Sequence, residues 1–162
     1  MSRVRTNELT EDLYRRLSGA EIESLAALAI VVCTVDADGW PHPAMLSYFE
    51  VAAVDRQNVR LAIYNDSRTC ANMRGRGKTT LIVIDTNLAC YIRGVAEQVV
   101  PAMAAAPFNA MLNLRVDEVT FDEPPPDLEP GAYVMSGVTY RPRSGAPLAQ
   151  ARAVLAELQN QQ

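Results

Sequence analysis

One histidine, His42, one lysine, Lys78, and one tryptophan, Trp40, are all this sequence has of three residue types that carry much of protein chemistry. With a single imidazole, no serine–histidine–acid set can be drawn, because His42 lies between Pro41 and Pro43 and no spacing ties a carboxylate to it. It is expected as an exposed loop residue. The three cysteines, Cys33, Cys70 and Cys90, have no C-x-x-C spacing and complete no usual zinc pattern with His42. They are read as reduced thiols filling core space, and no metal site is expected. Lysine is so scarce among the 15 basic residues that a bound phosphate would have to be held by arginine or by backbone amides. Long apolar runs are also missing. The longest, Leu25 to Val35, is broken by Cys33 and Thr34 and is too short for a bilayer, and the first residues lack a signal-peptide core, so a cytoplasmic protein is expected. Positive charge is in deficit, with a net charge of −4, which argues against nucleic acid as a partner.

What is present has the balance of a globular chain: 49% apolar and 21% charged residues over a length of 162, enough for one core without disulfides or metals. Leu9, Leu13 and Leu17 fall four apart behind Thr10, a suitable N-cap, and predict a short helix. Ser18 and Glu21 have capping-box spacing ahead of Ile22, Leu25 and Leu28, which predicts a second. From Ile30 the residues turn β-branched, stop at Asp36-Ala37-Asp38-Gly39, resume from Met45 to Val54, and alternate again through Val59, Leu61 and Ile63. Ser67 caps a predicted helix from Arg68 to Arg74. Thr79–Asp85 and Ala89–Val99 form a hairpin about Thr86-Asn87-Leu88, Pro101–Pro107 is an alanine-rich connection that can hold a helical turn or two, and Leu112 to Phe121 is a sixth strand bulged near Asp117-Glu118. After a proline-rich loop, Ala132–Tyr140 is predicted as a last strand, and Ser144 as the cap of a C-terminal helix whose face carries Leu148, Ala151, Leu155 and Leu158. Seven short strands favour a mostly antiparallel, closed or partly closed β-barrel with flanking helices, since closure removes exposed edges. One domain over residues 1–162 is expected, with N-terminal helices within 9–28, a core at about 20–141 and a C-terminal helix at 145–160.

Arg74-Gly75-Arg76-Gly77-Lys78-Thr79-Thr80 looks like the end of a phosphate-binding loop, but Asn72 stands where that motif needs its first glycine, and a strand follows Lys78. The stretch Tyr64-Asn65-Asp66-Ser67-Arg68, at the end of the third strand and the start of a helix, is a better anion site. Helix N-terminal amides, the Ser67 hydroxyl and the Arg68 guanidinium can together hold a phosphate, although a plain cap and a surface arginine explain the same residues. Trp40, just after a turn, can stack on a planar ligand or cover the barrel end.

Taken in order, Thr34-Val35-Asp36-Ala37-Asp38-Gly39-Trp40-Pro41-His42, then Leu61-Ala62-Ile63-Tyr64, Ser67-Arg68, Ala71-Asn72-Met73-Arg74, Thr80 to Ile84, and Tyr91 to Glu97 with Gly94 and Ala96, resemble the successive motifs of the pyridoxamine-5′-phosphate-oxidase-like proteins. The resemblance covers residues 20 to 100 best. It implies a six- or seven-stranded antiparallel split β-barrel that pairs as a homodimer, with FMN in two equivalent clefts at the subunit interface. It also implies an oxidoreductase passing a hydride through the flavin to an unknown small molecule. Ser67 and Arg68 match the family's phosphate ligands, Met45, Leu46 and Ser47 lie where backbone meets the flavin ring, and Tyr64, Asn65 and Arg74 complete the expected cofactor site. Trp40 or Tyr64 is placed to cover a ring face, and no side chain is assigned as acid or base. Three positions depart from the family pattern: Ala44, Ile63 and Thr69 replace an arginine, a threonine and a lysine. That leaves Arg74, Arg76 or a partner-chain arginine to compensate. The departures motivate an alternative, a homologue that has lost FMN and acts as a non-catalytic ligand-binding or interaction protein. The breadth of the family also admits a deazaflavin or, with His42, heme. Neither a nucleic acid nor a membrane is an expected partner.

Overall fold

The computed structural model describes residues 2–160, with side chains from residue 5 onward. Strand β1 (Ser2–Thr6) leads to helix α1 (Glu11–Leu17), whose N-cap Thr10 accepts a hydrogen bond from the Leu13 N–H as its sequence position predicts. The expected capping box at Ser18 does not form. Ser18 instead closes α1, donating to the Arg15 carbonyl at 2.8 Å, and the second helix shrinks to α2 (Ile22–Leu25). Leu28 is therefore the first residue of β2 (Leu28–Val35) rather than the last of a helix.

The β2–β3 turn forms as the sequence requires, with Gly39 at φ 89°, a conformation that favours glycine. Strand β3 (Pro41–Ser47) then runs antiparallel to β2. His42 thus lies in a strand, half-buried, instead of in an exposed loop. Two prolines are tolerated here because β3 ends the sheet and one of its edges needs no ladder partner. The expected single strand from Met45 to Val54 is interrupted by a one-turn 3-10 helix at Tyr48–Glu50 before β4 (Val51–Ala53). The capping box is found at this break: Glu50 Oε2 accepts from the Ser47 N–H at 2.7 Å and from the Ser47 hydroxyl at 3.0 Å.

Strand β5 (Asn58–Tyr64) is followed by α3 (Arg68–Arg76), β6 (Lys78–Asp85), β7 (Leu88–Val100) and β8 (Asn109–Glu123). The sheet order is β3-β2-β6-β7-β8-β5-β4, with β1 added beside β8. Its two ends, β3 and β4, follow one another in the chain, so the seven strands curl into a half-barrel: the fold is an antiparallel split barrel, mainly β with flanking helices. The bulge falls where expected, since Arg93 faces Glu118 and Gly94 faces Val116, leaving Asp117 unmatched. Gly94 is fixed by close approach, because a Cβ there would lie 2.0 Å from the Arg115 carbonyl oxygen.

The C-terminal third departs most from expectation. Residues 101–107 form turns and bends with no helix, and the predicted strand from Ala132 to Tyr140 reduces to β9 (Val138–Thr139), paired with β2. Helix α4 (Ala146–Gln159) starts at Gly145, not at Ser144. Its apolar face, Ala151, Val154, Leu155 and Leu158, closes a second core with Phe49, Ala62, Met103 and Met111, separate from the barrel interior. Polar contacts also pin this helix. Arg60 donates to the Leu158 carbonyl at 3.3 Å, and Glu157 accepts from the Ala104 and Ala105 N–H groups at 2.9 and 2.7 Å. Among the described residues no helix is long and apolar enough to cross a membrane.

Candidate functional site

Helix α3 starts where β5 ends, and packs against β2, β3, β5 and β7. Its first turn holds Ser67 and Arg68. The Ser67 hydroxyl accepts from the Cys70 N–H at 3.0 Å and donates to the Tyr64 carbonyl at 2.7 Å, so its one hydrogen is used within the chain. Arg68 is exposed, with one guanidinium nitrogen 3.5 Å from Asp36 Oδ2. Asp36 in turn is fixed: its Oδ1 accepts from the Asn72 amide at 2.8 Å, and the same amide donates to Thr34 Oγ1 at 3.0 Å. Asn65 accepts from Arg74 at 2.6 Å and donates to the Pro101 carbonyl at 3.1 Å, while Arg74 also donates to Gln98 at 2.6 Å. Arg76 is turned to the Val35 carbonyl and the Asn72 carboxamide oxygen.

Met45, Leu46 and Ser47 line a different feature, a hollow of about 330 Å³ along the end of β3. Ala29, Val138, Thr139, Tyr140, Glu50 and Arg143 complete it. Its walls are mostly apolar, and its polar groups sit together: Glu50 anchors the Ser47 N–H, and Arg143 approaches the outer Glu50 oxygen at 4.0 Å. Burial pushes the Tyr140 phenol above its ordinary value, outweighing its hydrogen bond with Ser47, so it stays protonated at neutral pH. Tyr64 lines a neighbouring hollow of about 360 Å³ with Phe49, Phe108 and Pro147, and Glu50 and Arg143 border both. The Tyr64 and Phe108 ring centroids are 6.4 Å apart, and both rings are at least half exposed. Neither hollow is lined by Ser67 or Arg68.

The expected site residues therefore fall into two groups. Met45–Ser47 and Tyr64 border the adjoining hollows, and Asn65, Ser67, Arg68 and Arg74 surround the start of α3. Trp40 is 69% exposed, so it does not cover the barrel end. Of the three departures, Ile63 and Thr69 are buried and Ala44 packs against the core, so none presents a replacement cation. Sequence reasoning missed Glu50, Tyr140, Arg143 and the roles of Asp36 and Asn72. Glu50 had a signal, the same S-x-x-E spacing that Ser18 and Glu21 carry. Tyr140 was read only as the end of a strand, and Arg143 lies in an irregular segment with no periodicity to read.

The model of the pyridoxamine 5′-phosphate oxidase family matches residues 20–126 of the chain. An uncharacterised protein of Bacillus subtilis (strain 168), YclD, is 32% identical over 90 residues, which is 56% of this chain and 58% of that protein. The chain thus spans little more than half of that relative's length. Among solved structures, a candidate pyridoxamine 5′-phosphate oxidase from Lactobacillus delbrueckii superposes with a TM-score of 0.58 at 22% identity, over 74% of this chain and 98% of that one. An FMN-binding protein from Syntrophomonas wolfei subsp. wolfei gives 0.52 at 14% identity, over 71% and 92%. At these identities the structural likeness speaks to the fold.

Proposed function

The chain belongs to the pyridoxamine 5′-phosphate oxidase family, and from that premise we propose that it is a flavin-binding oxidoreductase, with FMN as its cofactor, that acts on a small molecule as a homodimer. The observation that carries this reading is the hollow at the end of β3, where Met45, Leu46 and Ser47 meet Val138, Tyr140 and Arg143. Its apolar walls suit a planar ring, and its polar groups suit the ring's hydrogen-bonding edge. Its volume of about 330 Å³ is small for a cofactor. A second copy laid over the exposed Met45, Tyr64 and Phe108 would deepen it and bury apolar surface. The flavin, when bound, supplies the hydride chemistry. The chain's own part is to hold it: backbone of β3 along the ring, Arg68 and the first amides of α3 toward the phosphate, and Tyr140 as a neutral donor beside Ser47. An absorption spectrum of freshly purified protein, repeated after adding FMN and removing the excess, tests the proposal. Retained flavin bands support it, and a colourless protein after both steps refutes it.

A second reading is a split-barrel homologue that has lost FMN and binds another ligand without catalysis. It is favoured by the Ser67 hydroxyl being used within the chain and by Arg68 facing Asp36. That protein would leave flavin fluorescence unchanged on titration.

A further inference from the structure

Helix α3 carries three arginines, Arg68 in its first turn and Arg74 and Arg76 in its last, and their partners differ in kind. Arg74 is held by the neutral groups of Gln98 and Asn65, and Arg76 by the Val35 carbonyl and Asn72. Only Arg68, the one nearest Ser67 in sequence, faces a carboxylate, that of Asp36 at 3.5 Å. The two ends of this pair are unequally free. The Arg68 side chain is 67% exposed, whereas that of Asp36 is 18% exposed and held by Asn72, itself 3% exposed and hydrogen-bonded to Thr34. Arginine can swing toward an incoming anion, but the carboxylate cannot swing away.

We propose that Asp36 is a specificity-determining residue: by neutralising Arg68 it strips the site of most of its preference for a phosphorylated ligand, so that the chain recognises a flavin mainly by its ring. The inference rests on the flavin reading given above and goes beyond it in naming the ligand class as flavins with or without a phosphate. The remaining groups point the same way. The Ser67 hydrogen is spent on the Tyr64 carbonyl, Ile63 and Thr69 are buried without charge, and Ala44 packs on the core. A phosphate dianion beside Arg68 would therefore meet one mobile cation, a few helix amides and one fixed negative charge, the charges of Arg74 and Arg76 sitting in the last turn of α3. The favourable and unfavourable Coulomb terms are of similar size at such separations.

The test is a fluorescence titration of FMN and of riboflavin against the full chain, its Asp36→Asn variant, and the double variant Asp36→Asn, Arg68→Ala. The asparagine of the Asp36→Asn variant keeps a carboxamide oxygen for Asn72 to donate to, so the turn is preserved while the charge is removed. The wild type is expected to bind the two flavins within about fivefold of each other, the scale of an exposed ion pair. Asp36→Asn is expected to tighten FMN about tenfold with riboflavin unchanged, the gain lost again with Arg68→Ala and weakened by salt. A wild type that prefers FMN by far more, or an Asp36→Asn protein whose FMN-to-riboflavin ratio does not move, overturns the role of Asp36 while leaving the flavin reading standing. Failure of either flavin to bind any of the three proteins overturns both. The wild-type ratio alone decides the matter if a variant does not fold.

Discussion

Asn72 donates its side-chain amide to Asp36 at 2.8 Å across 36 positions of sequence, and this bond joins the turn between β2 and β3 to the buried side of α3. With Thr34 and Arg76 as its other partners, every hydrogen-bonding atom of the Asn72 carboxamide is engaged. Two separated stretches of sequence, Thr34-x-Asp36 and Ser67-Arg68-x-x-x-Asn72, are thereby one structural unit.

Removing that hub should be costly. Asn72→Ala leaves Thr34, 1% exposed, and Asp36 without their shared donor, and is expected to lower stability by about 1–3 kcal/mol. Urea denaturation measures the loss. Hydrogen exchange at Gly39, whose N–H bonds the Asp36 carbonyl, should quicken at the same time.

The clamp between α1 and the barrel makes stability pH-dependent. Asp85 is paired with Arg16, which also donates to Tyr48 at 2.9 Å. Burial alone would raise the Asp85 carboxyl, but the hydrogen bonds from Arg16 and the Thr86 N–H outweigh it and hold the group below its ordinary range. The stabilisation is therefore complete above the unfolded pKa of about 4 and disappears as pH falls through the lower folded value. Asp85→Asn should cost about 1–3 kcal/mol at neutral pH and flatten the acid limb of a stability–pH curve, as denaturation midpoints from pH 7 to 2 would reveal.

The cysteines should react in a fixed order. Cys33 is half-buried at the wall of a hollow that Lys78 and Arg93 also line, whereas Cys90 is fully buried, its thiol pushed up to about 12. Burial also raises the Cys70 thiol. Labelling the folded protein at neutral pH should modify Cys33 alone, with all three thiols reacting in denaturant. Equal rates in the folded protein would contradict the burial pattern.

The apolar face of helix α4 packs into its own chain's core. Leu158, fully buried with Phe49 and Met103, should cost about 2–5 kcal/mol when cut to alanine. Thermal denaturation should register the loss while light scattering finds the oligomeric mass unchanged.

How legible all this was follows the physics of each segment. Strands β2, β5, β6, β7 and β8, the bulge at Asp117 and the cap at Ser67 could be read because periodicity and turn chemistry are local. Strand β1 could not, since Ser2–Thr6 pairs with residues 119–123 at the far end of the chain and carries no pattern of its own. The segment from 132 to 137 has strand-like residues but joins no ladder, so its side chains mislead. At the site, Met45–Ser47 were traceable through a family likeness. Glu50, Tyr140 and Arg143 meet only because the 3-10 turn and β9 converge, a tertiary fact. Asp36 was visible as a turn residue, but its effect on Arg68 depends on a bond to Asn72 that spacing cannot reveal.

The flavin reading requires that the hollow beside β3 receive the ring. Titrating the full chain into FMN or riboflavin and following flavin fluorescence tests it most directly. Saturable quenching at about one flavin per chain, weakened at least tenfold by Ser47→Tyr, which fills the hollow, is the expected result. Fluorescence that stays constant up to millimolar protein, or quenching indifferent to Ser47→Tyr, would contradict it.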